Sequence, residues 1–238
     1  MIKKYALLLI VFSLVFSASF GQIATIDFET NLSGYSHTPS QTPVTDPSDQ
    51  YFHRAIPSDA SIYEGSFGPY ASVTGSWLFV GSNPNTINSA NPGILALDPI
   101  NISAYTDLEL SMDWGAGNVD WDASDGITVE YRYDGTGSWS TLYSLSSTAT
   151  NAPLELIGNA TGGVNTANGL VLIYALQTIT SNNFTGTMGT NINIRVVCNS
   201  NANYEAFGLD NIVLNGTPTT PIPTITTSLS SITGLDYI

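Results

Sequence analysis

The sequence predicts an all-β fold, a two-sheet antiparallel β-sandwich of the jelly-roll type. About ten short apolar stretches are separated by turns rich in glycine, asparagine and proline, which is typical of sandwiches. No stretch shows the hydrophobic period of an amphipathic helix. Residues 107–114 and 126–133 alternate apolar and polar side chains so regularly that each predicts a strand buried on one face and wetted on the other.

Residues 1–21 have the pattern of a secretory signal peptide and are left out of the fold. Lys3 and Lys4 precede an apolar run over 5–16 that is short for a membrane span, and small residues follow it before Gln22. A retained membrane anchor is the alternative. We expect an exported mature chain without a membrane span, secreted or held at the cell surface.

Charge narrows the classes of partner. The whole chain has 5 basic and 19 acidic residues, and cleavage before Gln22 leaves only Arg54, Arg132 and Arg195 as basic residues, a formal charge of −16. Such a surface repels nucleic acids and anionic membranes and attracts divalent cations. Nucleic-acid binding is therefore excluded.

The single cysteine, Cys198, cannot form an intrachain disulfide. It shares the strand phase of Ile192, Ile194 and Val196, which predicts a buried structural thiol. A catalytic cysteine is the alternative, although no neighbour in the sequence would lower its pKa.

The predicted strands fill residues 22–216, which we assign to one jelly-roll domain. The opening strand covers 23–30 (IATIDFET), and a polar, proline-rich loop covers 31–49. The glycine-rich turn at 134–137 predicts a hairpin. The strands predicted between the opening and closing ones are 51–56, 77–80, 94–97, 107–114, 126–133, 139–145, 170–180 and 191–198.

The closing strand, 204–216 (YEAFGLDNIVLNG), changes phase part-way. Phe207 and Leu209 share one phase, whereas Ile212 and Leu214 share the other. A strand with a period of two that switches phase needs a bulge, which we place at Asp210 and the residue after it. We expect this strand to lie near the opening strand.

Four stretches occur in a recognisable order: DFE at 27–29, DQYFHR at 49–54, WDASDGITVEYRYDGTGSW at 121–139 and AFGLDNIVLNG at 206–216. Together they resemble the MAM-type jelly-roll modules of secreted proteins, in the variant found in bacterial proteins exported by the type IX system. The resemblance implies an adhesin, a carbohydrate-associated protein or an accessory part of a secreted hydrolase. Residues 217–227 form a Pro/Thr-rich linker, and 228–238 resemble the start of a truncated immunoglobulin-like domain.

A structural Ca²⁺ is predicted where the first and last strands meet. Asp27 and Glu29 lie two apart in the predicted opening strand and so point to one face, and Asp210 lies at the predicted bulge. The resemblance adds Asp49, because an acid precedes the same aromatic strand in similar modules. Carboxylate ligands without paired His or Cys suit Ca²⁺. The alternative is that Asp27 and Glu29 are exposed and Asp210 caps a turn.

A second acidic group, formed by Asp113, Asp120, Asp122 and Asp125, has two interpretations. The spacing D-x-D-x-x-D-G resembles a calcium loop but does not fit the EF-hand frame, and such acids are more often solvated in a turn. Trp121, between two of the acids, is expected to be exposed. Trp121, Asp120, Asp122 and Asp125 are therefore the predicted ligand-binding residues for a carbohydrate.

Other aromatic residues form a wider carbohydrate platform in this hypothesis, namely Tyr63, Tyr70, Trp77 and Trp139. The competing and favoured interpretation places Trp77, Trp114 and Trp139 in core or hairpin packing.

No catalytic residue is predicted. The two histidines, His37 and His53, stand in no known nucleophile or metal-hydrolase motif, and His53 is expected in the core or hydrogen-bonded. A distant Ser–His–Asp triad and a glycosidase acid pair remain alternatives. The sequence favours a secreted, non-catalytic binding or adhesion module that binds polysaccharide or a cell-surface component. The alternative is the N-terminal accessory domain of a secreted nuclease, protease or glycosidase.

Overall fold

The computed structural model of the protein describes residues 20–39, 50–59, 70–117, 121–157, 169–184, 189–202 and 204–219. The predictions for most of the signal peptide, for Asp49, Tyr63 and Asp120, and for the chain after 219 lie outside these residues. Within them, no helix is long and apolar enough to cross a membrane.

The described residues form thirteen strands and one four-residue helix. In chain order these are β1 (Gly21–Ile26), β2 (Tyr35–Thr38), β3 (Tyr51–Ala55), β4 (Leu78–Ser82), α1 (Pro84–Ile87), β5 (Gly93–Leu97), β6 (Ile100–Asn101), β7 (Tyr105–Ala116), β8 (Gly126–Tyr133), β9 (Ser140–Ser146), β10 (Glu155–Ile157), β11 (Gln177–Thr180), β12 (Asn191–Asn199) and β13 (Ala206–Pro218).

The strands form two antiparallel sheets. The first has the order β11-β7-β13-β4-β3, with β1 pairing β13. The second has the order β10-β9-β8-β12-β5-β2, with β6 pairing β12. Alternate side chains of β7, β8 and β12 are buried in one hydrophobic core. The predicted all-β antiparallel sandwich is confirmed.

The predicted phase switch in the closing strand is also confirmed. Pairing between β13 and β7 shifts register between Asp210 and Val213, and Asn211 has a φ of 48°. Leu209 before the bulge and Ile212 after it are both buried in the core. The bulge therefore restores the buried phase after Asp210, and β1 lies beside β13 as predicted.

The opening strand is shorter than predicted. It ends at Ile26, because Phe28 adopts a φ of 57° and Asp27 Oδ1 accepts a hydrogen bond from the Glu29 N–H at 3.1 Å. Asp27 and Glu29 thus lie in an exposed turn after the strand, so the argument that a regular pleat points both to one face is wrong. At the other end of the domain, β13 continues to Pro218 beyond the predicted boundary at 216.

Some short elements differ from the prediction. Strand β2 occurs inside the stretch predicted as a loop, where it pairs with β5. Strand β10 was not predicted, and of the stretch 170–180 only Gln177–Thr180 forms a named strand. These segments are edge strands. They become strands because they pair with a neighbouring strand, and their own sequence patterns are too short to predict this. The predicted hairpin turn between β8 and β9 is confirmed by positive φ angles at Asp134 and Gly135.

Candidate cation and ligand sites

Three carboxylates converge beside the starts of β8 and β13. Asp122 and Asp125 form the turn before β8, where the Asp125 N–H bonds to the Asp122 carbonyl at 3.0 Å. Glu205 lies directly before β13. One oxygen from each of the three side chains lies within 4.8 Å of the others, so these residues could hold a metal ion. We call Asp122, Asp125 and Glu205 the acidic cluster.

Glu205 is completely buried and is fixed by hydrogen bonds. Its Oε2 accepts bonds from Ser200 Oγ at 2.8 Å, from the Asn201 N–H at 3.1 Å and from the Ala202 N–H at 3.0 Å. Its Oε1 accepts the Asp122 N–H at 3.3 Å. Hydrogen bonds to a carboxylate stabilise its charged form, so the carboxylate is held in place before any ion binds.

Asp125 is only 2% exposed and is less well satisfied. Its Oδ1 accepts a hydrogen bond from Asn201 Nδ2 at 3.1 Å, whereas Oδ2 is buried without a partner in the part of the chain that the structure describes. The same holds for Asp122 Oδ1. Burial and then the neighbouring Glu205 raise the pKa of Asp125 to about 7.

Cys198 lies close enough to the acidic cluster for the carboxylates to affect the pKa of its thiol. The thiol is buried, which confirms the prediction of a buried cysteine. Burial raises its pKa, and the Glu205 and Asp125 carboxylates raise it further. A thiol in this state is a poor nucleophile and a poor metal ligand.

Two of the residues predicted at the terminal strands bind a common backbone segment, 74–77. Glu29 Oε1 accepts the Ser76 N–H at 2.7 Å and the Trp77 N–H at 2.9 Å. Asp210 Oδ2 accepts the Thr74 N–H at 2.7 Å. Asp210 is fully buried, and this burial raises its pKa to about 6. The metal role of Asp27, Glu29, Asp49 and Asp210 stays a prediction.

Asp113 does not join Asp122 and Asp125, with which it was grouped. It lies on β7, where Oδ1 accepts a bond from Thr178 Oγ1 at 2.5 Å and Oδ2 accepts one from Asn211 Nδ2 at 3.1 Å. Proximity in sequence is not proximity in space here, because Asp113 is separated from the turn by the end of a long strand.

The expectation that Trp121 is exposed is wrong. Its side chain is 0% exposed and packs in the main core, and its backbone forms two hydrogen bonds of 3.1 Å with Ala152. This bridge turns the ring inward, so it offers no face for stacking against a sugar. Trp114 is also in the core, as predicted, and its Nε1 donates to Tyr143 Oη at 2.8 Å.

Trp139 is half-buried on the outer face of the second sheet, at the end of the β8–β9 hairpin. The guanidinium carbons of Arg132 and Arg195 lie 4.4 and 4.1 Å from its ring centroid. Arg195 Nε bonds Glu130 Oε2 at 2.6 Å, and Arg195 and Glu130 are paired in register on β12 and β8. We call Trp139, Arg132, Arg195 and Glu130 the Trp139 face.

A second tryptophan is covered in a similar way on the other sheet. The Arg54 guanidinium carbon lies 3.5 Å from the Trp77 ring centroid. Arg54 also donates to the carbonyls of Phe28 and Glu29. Arg54 and Trp77 thus brace the turn after β1. Arg132 differs, because its buried Nε has no hydrogen-bond partner within the described ranges.

Sequence reasoning missed Glu205 and the two arginines of the Trp139 face. The carboxylate of Glu205 directly precedes a strongly apolar stretch, and that position was the available signal. Its hydrogen-bond partners lie at 200–202 and at Asp122, and the pattern around Glu205 does not reveal them. Arg132 and Arg195 occupy the polar phases of their strands, and only the pairing of β8 with β12 brings them to one ring.

No family model matches this chain, and no curated protein matches it either. Among solved structures, a cyclase from Fischerella sp. TAU is similar with a TM-score of 0.50 and 14% identity, over 85% of this chain and 100% of that one. The K3 cleaved adhesin domain of Lys-gingipain from Porphyromonas gingivalis W83 gives 0.44 and 10%, over 83% and 99%. The CBM22-1 xylan-binding domain of Xyn10C from Paenibacillus barcinonensis gives 0.42 and 9%, over 86% and 99%.

At these identities, the likeness to the cyclase shows the fold alone. The other two likenesses are looser and add nothing to that conclusion.

Proposed function

We propose that this protein is an extracellular, non-catalytic binding module, and that the Trp139 face binds a polysaccharide, free or at a cell surface. The observation that carries the proposal is the convergence of Arg132 and Arg195 on one half-buried tryptophan. Aromatic rings beside a few fixed polar groups are the usual components of a site for sugars. Guanidinium and carboxylate groups bond hydroxyl pairs in a directed way.

The placement of charge supports this proposal. The mature chain has three arginines against 19 acids, yet two of the three lie on one ring. The Arg195–Glu130 ion pair is part-buried, with side-chain exposures of 26% and 18%, so both charged groups remain partly accessible to a ligand on this face. Arg132 has no ion pair among the described residues, so its guanidinium charge on this face is not neutralised by a carboxylate there.

We also propose that Ca²⁺ binds near Asp27, Glu29, Asp49 and Asp210. Glu29 and Asp210 both approach residues 74–77, and their charges interact. Asp210 Oδ2 accepts one N–H and retains a lone pair for a cation, whereas Glu29 Oε1 accepts two N–H groups, so Glu29 would bind the cation through Oε2. In the same proposal the chain is exported after cleavage before Gln22 and belongs with the MAM-like modules that it resembles.

The binding proposal is tested with the mature chain from Gln22 and a panel of neutral and uronic-acid polysaccharides, by affinity electrophoresis. Trp139→Ala is the test variant, and Trp77→Ala is its matched control, because both rings lie under an arginine. We expect at least one polysaccharide to retard the wild type and the control, but not Trp139→Ala. Retardation of all three proteins alike, or of none, would contradict the proposal.

A further inference from the structure

We propose that the acidic cluster of Asp122, Asp125 and Glu205 is a binding site for one divalent cation of the hard, oxygen-preferring class, with Ca²⁺ as the best-fitting ion. The site is separate from the one proposed at the terminal strands and from the Trp139 face. The bound ion would tie residues 200–205, between β12 and β13, to the turn at 122–125 before β8.

Two buried carboxylate oxygens of the cluster residues are unsatisfied. Asp125 is 2% exposed, and its Oδ2 is buried with no hydrogen-bond partner among the described residues. Asp122 Oδ1 is in the same condition. A buried carboxylate oxygen without a donor costs free energy that a bound cation removes. These two oxygens are therefore the ligands that the folded chain leaves available.

No lysine or arginine among the described residues neutralises the acidic cluster. After Lys4 the sequence has no lysine, and its three arginines all stack on Trp77 or Trp139. Among the described residues, the one ion pair joins Arg195 to Glu130. Three carboxylates in one partly buried site therefore require a cation from solution or a bound proton.

The oxygens of the acidic cluster are close enough for one ion to reach all three, since they lie within 4.8 Å of one another and a Ca–O distance is about 2.3–2.6 Å. Mg²⁺ demands a near-ideal octahedron and usually keeps several waters, so a partly buried set of three carboxylates suits Ca²⁺ better. No imidazole or thiol takes part in the cluster among the described residues, so a soft transition metal has no preferred ligand here.

The test uses the mature chain, freed of metal with chelator and titrated with Tb³⁺ as a Ca²⁺ substitute. Trp121 is adjacent to Asp122, so its indole can sensitise Tb³⁺ bound at this site. Because Trp77 lies beside Glu29, every protein in this test also carries Glu29→Gln and Asp210→Asn, which removes the site proposed at the terminal strands. The variants are Asp125→Asn and Glu205→Gln, and the matched control is Asp98→Asn, which removes an exposed acid elsewhere. We expect indole-sensitised emission that Ca²⁺ displaces and that weakens about tenfold or more in both test variants, but not in the control.

A stability measurement separates a cation site from a hydrogen-bonded carboxyl pair. In chelator at pH 8, Asp125→Asn should melt at the wild-type temperature or above it, because it removes repulsion. In excess Ca²⁺ the order should reverse, with the wild type melting higher. The proposal is overturned if the Glu29→Gln/Asp210→Asn protein with an intact acidic cluster gives no sensitised emission, or if the difference in melting temperature is the same with and without Ca²⁺.

Discussion

An oxygen of Asp125 and an oxygen of Glu205 lie within 4.8 Å of each other at the starts of β8 and β13, one strand from each sheet. Both side chains are buried. Two carboxylates so placed repel each other unless a proton or a cation lies between them. The chain has no intrachain disulfide, so the stability of this end of the sandwich should depend on the pH and on the concentration of divalent cations.

The first prediction concerns the proposed Ca²⁺ at the terminal strands. Saturating Ca²⁺ should raise the melting temperature of the wild type, with a stabilisation of about 2.7 kcal/mol at a hundredfold excess over Kd. The Glu29→Gln/Asp210→Asn double variant should lose the part of this rise that comes from the terminal strands and keep the part that comes from the acidic cluster. Asp125→Asn should show the reverse. Calorimetry with Ca²⁺ and with chelator gives the comparison. A double variant whose shift equals that of the wild type would exclude this site without affecting the acidic cluster.

The second prediction compares a buried tryptophan with a surface one. Trp121→Ala should destabilise the fold by about 3–5 kcal/mol, because it leaves a cavity in the core. Trp139→Ala should cost about 1–2 kcal/mol, since its ring is half-buried and loses two cation–π contacts. Urea unfolding of both variants measures the two values. Equal losses would mean that the burial of Trp121 is misassigned.

The third prediction is a pH dependence that arises from His53. Burial lowers the pKa of this side chain, and its two ring nitrogens have no hydrogen-bond partner among the residues that the structure describes. Because the unfolded chain binds the proton more readily, the contribution of His53 to stability is complete above about pH 6.5 and is lost as the pH falls toward the lower folded-state pKa.

The measurement for His53 is the difference in unfolding free energy between the wild type and His53→Phe, from pH 8 to pH 5. The difference should shift in favour of the variant as the pH falls. Taking a difference cancels the opposite slopes of Asp125 and Asp210, whose pKa values are raised. A difference that does not change with pH would contradict a lowered pKa at His53.

The long strands and the bulge were predictable because their signals are local. Strand β8 has the bounds that its alternation predicts, and the phase change on either side of Asp210 requires the irregularity that β13 shows. Periodicity is enforced by burial on one face, so a sequence that obeys it reveals both the strand and its buried side. Strand β2 lacked such a signal because its pattern is short and polar.

The sites were less predictable because contacts between distant segments create them. Trp121 is flanked by acids, yet its pairing with Ala152 turns the ring inward. Asp122 and Asp125 were found from spacing alone, whereas Glu205 reaches them only through the arrangement of the two sheets. Local spacing identifies single ligands, and the set is completed by tertiary structure.

The binding role of the Trp139 face is tested most directly by replacing, in separate variants, two arginines that each cover a tryptophan. Arg132→Gln should weaken affinity for a polysaccharide that retards the wild type by about tenfold, a loss of about 1.4 kcal/mol, with little change in melting temperature. Arg54→Gln should lower the melting temperature, because Arg54 donates to Phe28 and Glu29, and should leave affinity unchanged. Titration calorimetry of both variants below their melting temperatures measures the affinities. Unchanged affinity in Arg132→Gln, or an equal loss in both variants, would contradict the account.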